Sequence, residues 1–476
     1  MFDILYAFTH DQTLCLVYED FYLAVGFTFC GFIMYNTIPD FLNMIINRLS
    51  DAGYEAYIVG GAVRDICMNR PVTDWDIATS ASSDQIKEIF HTERLFSLKH
   101  ETVTILDKEG VHFELTPFRG KSGITGDLML RDFTINAMAL SPGESRIIDP
   151  ANGLDDISKR LIRATGCPQD RFHEDTIRII RAIRFAISLD FKIEDNTIRV
   201  VRQMCSDLKT AAPERIRDEL NKILLSSHPS RAFSLMLETG ILRIILPELI
   251  KGYKMAQNVY HRYTVYEHIM KTVDNIRPEP LLRWAALLHD IAKPYVRKRL
   301  DGRWVFYGHE EASAKLAEKI LKRLRFSREN IRDITNLIRH HFIDYDFRWS
   351  DGAVRRLIKR VGKDRIMKLI ELRKADLAAH GINNDWRPYM DDLEKRILEQ
   401  TKKGLACIDI KDLAINGTTV MQHLGLPPSP EVGKILAALR DMVIDRPELN
   451  TKKKLISLLV PIYESVLGVK KFPIQR

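Results

Sequence analysis

Two aspartates two positions apart are the residues of this chain best suited to chemistry. Asp74 and Asp76 flank Trp75 in a short stretch that predicts a strand. Because side chains alternate between the two faces of a strand, both carboxylates are expected to point the same way. Oxygen ligands on one face suit Mg²⁺, and two such ions can clamp the attacking and leaving oxygens of a phosphoryl transfer. Taken alone, the pair also fits two solvated acids at a strand edge.

Two further features belong with this pair. Glu114 lies on the polar face of another predicted strand and is a third candidate carboxylate ligand, although a solvated acid has the same pattern. Gly60-Gly61 follow a predicted strand and open a helix that carries Arg64 one turn in. Glycines let backbone N–H groups approach a triphosphate, and a helix N-terminus favours negative charge. A plain turn is the alternative for a lone Gly-Gly.

The elements that must position these residues change character along the chain. The first part alternates short apolar runs with helical stretches, and strands are expected at Tyr57–Val59, Asp74–Ala78 and Val111–Leu115. This pattern predicts an α/β domain. From Asp170 onward apolar residues recur at spacings of three and four, as in Thr176–Leu189, which predicts a series of helices.

Bulk composition restricts the class of protein. A chain of 476 residues is long enough for several domains, and its net charge of +8 is typical of a polyanion binder or of an ordinary basic surface. Its six cysteines form no Cys-x-x-Cys pair, which argues against disulfides or a zinc knuckle and favours the reducing cytoplasm.

The apolar run Phe21–Tyr35 near the N-terminus is shorter than the ~18–20 residues of a membrane span, and acidic residues precede it. We therefore expect no membrane association and treat residues 1–33 as a dispensable extension, with a membrane anchor as the minority alternative.

Several motifs in one order carry a resemblance to a known family. The chain resembles the polymerase-β-type nucleotidyltransferases, in the branch of the bacterial CCA-adding enzymes and poly(A) polymerases, from about residue 38 to about residue 465. The resemblance rests on Gly60 to Asp65 followed after eight residues by Asp74-Trp75-Asp76, on Arg131 to Ala137, on Asp149-Pro150 with Gly153 and Asp155, on Glu174 to Arg178, and on Glu214 to Arg217.

This resemblance implies roles for individual residues and a set of partners. It implies tRNA, CTP and ATP as partners, a cytoplasmic enzyme, and Mg²⁺ as cofactor. Asp132 and Asn136 can hydrogen-bond a ribose hydroxyl, and Asp175 and Arg178, three apart on a predicted helix, can match the edge of C or A. The implied catalytic residues are Asp74, Asp76 and Glu114, with Mg²⁺ on Asp74 and Asp76, and the implied nucleotide-binding residues are Gly60, Gly61, Arg64, Arg131, Asp132, Asn136, Asp175, Arg178, Arg181 and Arg184.

One segment departs from the family pattern. Only eleven residues separate Arg119 from Arg131, and Leu130 stands where the family usually has a first arginine. The resemblance associates a shortened loop here with enzymes that add only two C residues. Neutral variation of a surface loop is the other interpretation.

A histidine-rich unit follows. His289-Asp290, after a mostly apolar run, resembles the core of the HD phosphohydrolase motif. A set of histidines and aspartates of this size suits a divalent metal, here Mn, Ni, Fe or Mg, or a two-metal hydrolytic site. The implied ligands are His268, His289, Asp290, His309, His340 (with His341 as the alternative) and Asp376.

The predicted fold class is α+β, with a polymerase-β-like head followed by helical neck, HD-type and tail domains. Predicted boundaries are 1–35 for the extension, 36–165 for the head, 166–250 for the base-recognition and neck domain, 251–400 for the HD-type domain and 401–476 for a tRNA-binding tail. Three rival functions stay open: a poly(A) polymerase, an HD metal-dependent phosphohydrolase with a degenerate, RNA-binding head, and a non-enzymatic tRNA-binding module.

Overall fold

A computed structural model describes residues 38–91, 93–97, 102–120, 122–141, 146–382, 385–404 and 409–467. The proposed extension and the apolar run at residues 21–35 therefore lie outside the described residues. The chain forms two compact units, one comprising the described residues up to Arg178 with Asp190–Val200, the other comprising Ile179–Leu189 and the chain from Val201 onward. The five-part division expected from the sequence stays a prediction.

A seven-stranded sheet is the centre of the first unit, and its order is β3-β4-β5-β2-β1-β6-β7. Three strands lie where the sequence predicts them, to within two residues at either end, because alternating apolar residues at those positions fill one core. The strands are β1 (Ala56–Val59), β2 (Trp75–Thr79), β3 (Arg94–Ser97), β4 (Val103–Leu106), β5 (His112–Pro117), β6 (Ala139–Ser141) and β7 (Arg146–Ile148). A second, two-stranded sheet pairs β8 (Leu161–Ile162) with β9 (Lys192–Ile193).

Amphipathic helices cover this sheet. In the first helix Leu42, Ile45 and Leu49 recur at the period of one helical face and are fully buried in the core that also holds Phe113. The helices of this part of the chain are α1 (Asp40–Asp51), α2 (Gly61–Cys67), α3 (Ser83–Ile89), α4 (Gly123–Met129), α5 (Gly153–Ser158) and α6 (Pro168–Glu174). Two helices that follow, α7 (Arg178–Leu189) and α8 (Asp195–Met204), carry residues of both units.

The second unit is almost wholly helical, as the sequence predicts. Pro213 and Pro247 each begin a helix, where a missing N–H costs nothing. Its helices are α9 (Pro213–Leu224), α10 (Pro229–Thr239), α11 (Ile241–Ile245), α12 (Pro247–Ile250), α13 (Val265–Asn275), α14 (Pro280–Leu288), α15 (Lys293–Val296), α16 (His309–Arg323), α17 (Arg328–His340), α18 (Asp351–Val361), α19 (Ile366–Ala378), α20 (Arg387–Lys402), α21 (Gly417–Leu424), α22 (Pro430–Asp445) and α23 (Lys452–Leu467).

Its one sheet among the described residues is a hairpin of β10 (Lys298–Leu300) and β11 (Arg303–Val305), which the sequence analysis did not anticipate. Asp301 and Gly302 both have positive φ in its turn, as a two-residue hairpin loop requires. Across the described ranges, no helix combines the length and apolar character that crossing a bilayer demands.

Candidate active site and candidate metal centre

The sheet brings Asp76 and Glu114 side by side. β2 and β5 pair in parallel, with Asp76 opposite Glu114 and Trp75 opposite Phe113. Trp75 and Phe113 are buried, whereas Asp76 is half-buried and Glu114 is exposed, so the two carboxylates share the face turned away from the core. Asp74 lies one residue before β2 and is exposed. Neighbouring strands are about 4.8 Å apart, a spacing that divalent ions can bridge.

Gly60 lies beside these carboxylates, because the residue before it, Val59, pairs with Asp76 across β1 and β2. Its φ of 73° and ψ of −134° are a backbone conformation that residues with a Cβ rarely adopt. A Cβ at this position would lie 3.0 Å from Nη1 of Arg131 and 3.2 Å from Oδ2 of Asp76. Gly60, Asp76 and Arg131 therefore meet at one point, which stays open because residue 60 has no side chain.

Asp127 holds Arg131, and the sequence analysis did not single it out. Arg131 donates to Oδ2 of Asp127 from Nε at 3.1 Å and from Nη2 at 3.0 Å, while Arg119 donates to Oδ1 from its backbone N and its Nε. Burial acts to raise the pKa of Asp127, but Arg131 and Arg119 outweigh it and lower the pKa. The spacing of four residues between Asp127 and Arg131 is the feature of the sequence that could have predicted this ion pair.

A buried polar chain connects the glycine turn to the predicted ribose-recognising motif. Arg64, 9% exposed, donates from Nη1 to Oδ1 of Asn136 at 2.7 Å and also binds Asp65. Asn136 in turn donates to Oδ1 of Asp132 at 3.1 Å. The structure therefore brings Arg64, Asp132 and Asn136 together, and the Arg64 guanidinium fixes the amide orientation of Asn136.

The segment around Asp149 and Gly153, which also belongs to the family resemblance, packs against the predicted ribose-recognising motif. Asp149 accepts hydrogen bonds from the backbone N of Gly153 and Leu154, at the start of α5. Asp156, rather than the exposed Asp155, is buried and accepts a hydrogen bond from Oγ1 of Thr134 at 2.6 Å. A Cβ on Gly153 would lie 2.3 Å from the Thr134 carbonyl oxygen, so this approach requires glycine.

Asp175 and Arg178 do not share a helix face, and that expectation was wrong. α6 ends at Glu174, Asp175 is extended with φ −153° and ψ 101°, and α7 begins only at Arg178. The Asp175 carboxylate accepts a hydrogen bond from the backbone N of Ile177 at 3.3 Å, a local bond that competes with helix formation.

Asp175 and Arg178, the predicted base-reading pair, both belong to the first unit. Arg178 binds Glu174 at 2.9 Å and donates to the carbonyl oxygens of Arg171 and Leu130. Leu130, the residue that departs from the family pattern, thus contacts Arg178 through its backbone.

Arg181 and Arg184, the last two predicted nucleotide ligands, belong to the second unit. Both face Glu219, which Arg184 contacts at 2.6 Å and Arg181 at 3.7 Å. Glu219 is 6% exposed, so this contact compensates a buried carboxylate. Binding of nucleotide by either arginine stays a prediction.

The second unit assembles the histidine-rich residues into one buried cluster. Nε2 of His268 lies 3.3 Å from Oδ2 of Asp290 and 3.0 Å from Oδ1 of Asp376. His289 and His309 also contact Asp290. The groups of donors that lie within 4.8 Å of one another are His261-His268-His380, His268-His289-Asp290, His289-His341-Asp376 and Asp290-His309-His341.

His341, not the expected His340, belongs to this cluster. Nε2 of His341 lies 3.7 Å from Oδ1 of Asp290, and the ring is 2% exposed. Successive helical residues point about 100° apart, so only one of the two can face the cluster. His340 instead lies near Arg360, Arg339 and Glu311, and burial followed by the two arginines lowers its pKa. His261 and His380 also join the cluster, although the HD motif gives neither a role; His380 follows Asp376 by four residues, one helical turn, which was the signal available for it.

Outer hydrogen bonds determine which ring nitrogens face inward. The Nδ1 atoms of five histidines each lie 2.7–3.2 Å from an oxygen that can only accept: His261 on Asn258, His268 on Ala379, His289 on Ala286, His309 on Phe306 and His341 on Ile338. Each Nδ1 must therefore donate, which leaves the Nε2 lone pair for the interior in the neutral ring. Oδ1 of Asp290 is also buried and accepts no hydrogen bond. A core of converging acceptors is the chemistry of a cation site.

The two aspartates make the interior of the cluster attractive to a positive charge. Burial lowers the pKa of His341 to about 3, which keeps that ring neutral and able to bind a metal. Burial also acts to lower the pKa of His289, but Asp290 and Asp376 outweigh it and raise the pKa, so a proton on His289 and a metal ion compete for the same carboxylates. Lys293 contacts Asp290 at 2.6 Å and Arg373 contacts Asp376 at 2.6 Å. The cluster forms part of the wall of a cavity of about 360 Å³.

Family models match both the part of the chain that carries the carboxylates and the part that carries the His/Asp cluster. The family model described as the poly A polymerase head domain matches residues 56–163. The model described as the probable RNA and SrmB-binding site of polymerase A matches residues 190–252, and the HD domain model matches residues 258–379.

Whole proteins and solved structures extend the match over most of the chain. The A-adding tRNA nucleotidyltransferase of Deinococcus radiodurans is 32% identical over 81% of this chain and 91% of its own length. The CCA-adding enzyme of Limosilactobacillus reuteri is 30% identical over 84% and 91%. The crystal structure of the Bacillus stearothermophilus CCA-adding enzyme in complex with CTP has a TM-score of 0.66 and 25% identity, covering 89% of this chain and 97% of that one.

Proposed function

This chain belongs to the family of CCA-adding enzymes and related tRNA nucleotidyltransferases, and on that premise we propose that it adds C and A to the 3′ end of tRNA from CTP and ATP. The observation that carries the proposal is the in-register pair of Asp76 and Glu114 beside Gly60 and Arg131. Family membership also favours tRNA addition over poly(A) synthesis, the first rival. A cytoplasmic location goes with this substrate.

Asp74, Asp76 and Glu114 are the residues proposed to hold Mg²⁺. Their donors are hard carboxylate oxygens, two of them on neighbouring strands and the third one residue before β2, the kind of set that Mg²⁺ prefers with substrate phosphates. Bound Mg²⁺ supplies charge neutralisation for the attacking and leaving oxygens. The chain itself has to position the nucleotide, since phosphoryl transfer depends mainly on positioning and electrostatics.

Residues around the carboxylates are proposed to position the nucleotide. Gly60 and Gly61 leave room for a triphosphate beside Asp76, and Arg131, held by Asp127, provides a fixed positive charge there. Asp132 and Asn136, oriented by Arg64, are proposed to bind the ribose hydroxyls. Because Asp132 also accepts from the backbone N of Phe133, its carboxylate is fixed before ribose binds.

Asp175 and Arg178 are proposed to select the base. Both lie at the break between α6 and α7, where a change of backbone angles costs less than inside a helix. One group accepts and the other donates, which matches the hydrogen-bonding edges of C and A. Arg178 must exchange its bond to Glu174 or to a backbone carbonyl for the base.

A specific observation favours a second candidate, addition of two C residues only. The segment between Arg119 and Arg131 contains α4, whose Ile124 and Leu128 are buried in a hydrophobic cluster. Asp127 of the same helix binds both flanking arginines. The described part of this segment is therefore packed, and the shortened loop that the resemblance associates with CC addition is held against the head.

The second unit favours an additional hydrolytic activity at the His/Asp cluster. The converging acceptors and the adjoining cavity suit a divalent ion that polarises a phosphoester. We propose the cluster as a metal-dependent phosphohydrolase site that accompanies the transferase head and does not replace it.

A single extension assay tests the transferase proposal. Labelled tRNA lacking its tail is incubated with CTP, with ATP, and with both, in Mg²⁺. Full function gives two added residues with CTP and three with both nucleotides. Two residues in every mixture that contains CTP, and no extension by ATP of a transcript already ending in CC, would establish the second candidate. If the protein binds tRNA but incorporates no nucleotide, the result would favour the third rival, a non-enzymatic tRNA-binding module.

A further inference from the structure

A groove beside the His/Asp cluster is a feature of the second unit that neither proposed activity uses. It has a volume of about 510 Å³ and lies between the β10–β11 hairpin and the loop before His261. Asn258, Tyr260, Val305 and Tyr307 line both this groove and the cavity of about 360 Å³ at the cluster. The two spaces therefore adjoin, and a ligand longer than the cavity can extend into the groove.

Aromatic side chains at the junction of the two spaces are exposed to water. Tyr260 is 63% exposed and Tyr307 is 75% exposed, and Val259 beside Tyr260 is 72% exposed. Exposed apolar groups that gather at a concave surface mark a binding site. The flat ring of a tyrosine stacks on a nucleic-acid base of any sequence. The junction therefore offers stacking positions for unpaired bases.

Hydrogen bonds fix the loop that carries Tyr260. Oδ1 of Asn258 accepts a hydrogen bond from the backbone N of Tyr260 at 3.2 Å. Gln257 is 8% exposed, accepts from Nζ of Lys293 at 2.8 Å and donates from Nε2 to the Tyr263 carbonyl oxygen at 3.2 Å. Because this backbone is already ordered, a base that stacks here binds without the entropy cost of ordering a mobile loop.

The hairpin adds positive charge beside the groove. In its antiparallel register Lys298 lies opposite Val305, and Leu300 lies opposite Arg303. Residues that lie opposite one another, or two apart on one strand, share a face of the sheet. Lys298 and Arg303 are therefore on the face whose Leu300 and Val305 line the groove.

These two cations have no acidic partner within the described part of the chain. Lys298 and Arg303 are exposed, and the side chain of neither forms an ion pair or a hydrogen bond with a described residue. Residues 297–303 carry four basic side chains against one acidic side chain, Asp301 in the turn. Uncompensated cations beside exposed aromatic rings are the combination that binds single-stranded nucleic acids. An acidic peptide would match the charge but not the rings.

We propose that this groove binds single-stranded RNA, with unpaired bases on Tyr260 and Tyr307 and phosphates on Lys298 and Arg303. Neither cation lines the cavity at the cluster, so a mononucleotide confined to that cavity would not reach the hairpin. The bound strand is therefore extended, with one end at the His/Asp cluster. The inference concerns binding and not hydrolysis, and it rests on the proposed transferase function only for the choice of RNA over DNA.

Cross-linking locates the bound strand and tests the stacking positions. A single-stranded RNA of about eight nucleotides, within the usual site size, carries a photoreactive thiouridine and is irradiated on the full-length chain. Cross-linked peptides, identified by mass spectrometry, should include residues 257–260 and 300–307. The concentration dependence of these cross-links gives the affinity of the groove alone. Tyr260→Ala and Tyr307→Ala should each weaken it at least ~5-fold, the lower end for loss of one stacked base.

The salt dependence of the same affinity tests the phosphate contacts. The variant Lys298→Gln with Arg303→Gln loses two contacts, so the slope of log affinity against log salt should become shallower by about 1.4. Lys319→Gln with Arg328→Gln removes the same charge from exposed positions of α16 and α17 and should keep the wild-type slope. Tyr295→Ala is the control for the rings, because Tyr295 is 56% exposed and lines neither space.

The outcomes separate this proposal from unfolding and from the transferase proposal. Circular dichroism checks that each variant is folded. Cross-links confined to the head, or an unchanged affinity and slope in folded variants, would overturn the groove as an RNA site. Equal displacement by an acidic peptide and by unlabelled RNA of the same charge would also overturn it, because the rings would then contribute nothing. No nucleotide is present in these measurements, and CMP incorporation is scored separately, so either proposal can fail without the other.

Discussion

Replacing Gly60 with alanine offers the sharpest test of the proposed centre. The backbone at Gly60, with φ 73° and ψ −134°, costs an alanine about 1–3 kcal/mol. The new Cβ would also lie 3.0 Å from Nη1 of Arg131 and 3.2 Å from Oδ2 of Asp76. Both distances are shorter than an ordinary contact, so the two side chains must move by a few tenths of an ångström. Because changes to the groups that orient a metal ligand typically cost ~10–100-fold in metal affinity or activity, we expect Gly60→Ala to lower kcat by that factor.

The assay combines kinetics with local stability. Initial rates of CMP incorporation are measured over a range of CTP concentrations, and amide hydrogen exchange of β1 and β2 reports the stability of the head by itself. Gly53→Ala is the matched control, because Gly53 also has a positive φ, of 85°, but its Cβ would meet nothing within 4 Å. This control should lose stability and keep the wild-type kcat. If Gly60→Ala is destabilised to the same degree as Gly53→Ala and yet incorporates CMP at the wild-type rate, the placement of the centre beside Gly60 is refuted.

Three further predictions follow from the structure. Asp74→Ala should abolish incorporation while tRNA binding in a filter assay is unchanged, because it removes a metal ligand and not an RNA contact; residual incorporation would contradict the assignment. Asp127→Asn should lower the free energy of unfolding by about 2–3 kcal/mol at pH 7, since Asp127 is 1% exposed and accepts four hydrogen bonds from Arg119 and Arg131. Because folding lowers the pKa of Asp127, the carboxylate stabilises the fold fully above its unfolded pKa of about 3.9, and this stabilisation is lost as the pH falls through the folded pKa. Urea titrations from pH 7 to pH 3 should therefore show the unfolding free energies of wild type and variant converging only below about pH 4. Convergence at higher pH would contradict this. His341→Gln should lower the zinc content of the metal-loaded protein, whereas its neighbour His340→Gln should not, and the reverse result would restore the ligand expected from the sequence.

The first unit shows why motif spacing predicts a site well inside a sheet. Alternation along β2 and β5 is a local property, so Asp76 and Glu114 had to face away from the core once Trp75 and Phe113 filled it. A spacing of two residues determines the face without knowledge of the partner strand. The parallel register that makes the two carboxylates neighbours is not local, and it is set by the packing of the whole sheet.

The helical parts show the limit of that reasoning. Spacing of three places Asp175 and Arg178 on one face only if the helix is continuous, and the structure breaks it between Glu174 and Arg178. Similarly, spacing could not choose between His340 and His341, because a rotation of 100° decides which ring enters the cluster. That rotation depends on how α17 packs against its neighbours.

The sequence by itself therefore determined the α+β class, the family motifs and the strand faces, because these follow from local periodicity and residue type. Only the tertiary structure decided that Asp76 and Glu114 are neighbours, and that His261 and His380 meet His268. Those contacts join residues from different elements, up to 119 positions apart between His261 and His380. No pattern within one element encodes such a distance, since it arises from the packing of helices and strands that are far apart in the chain.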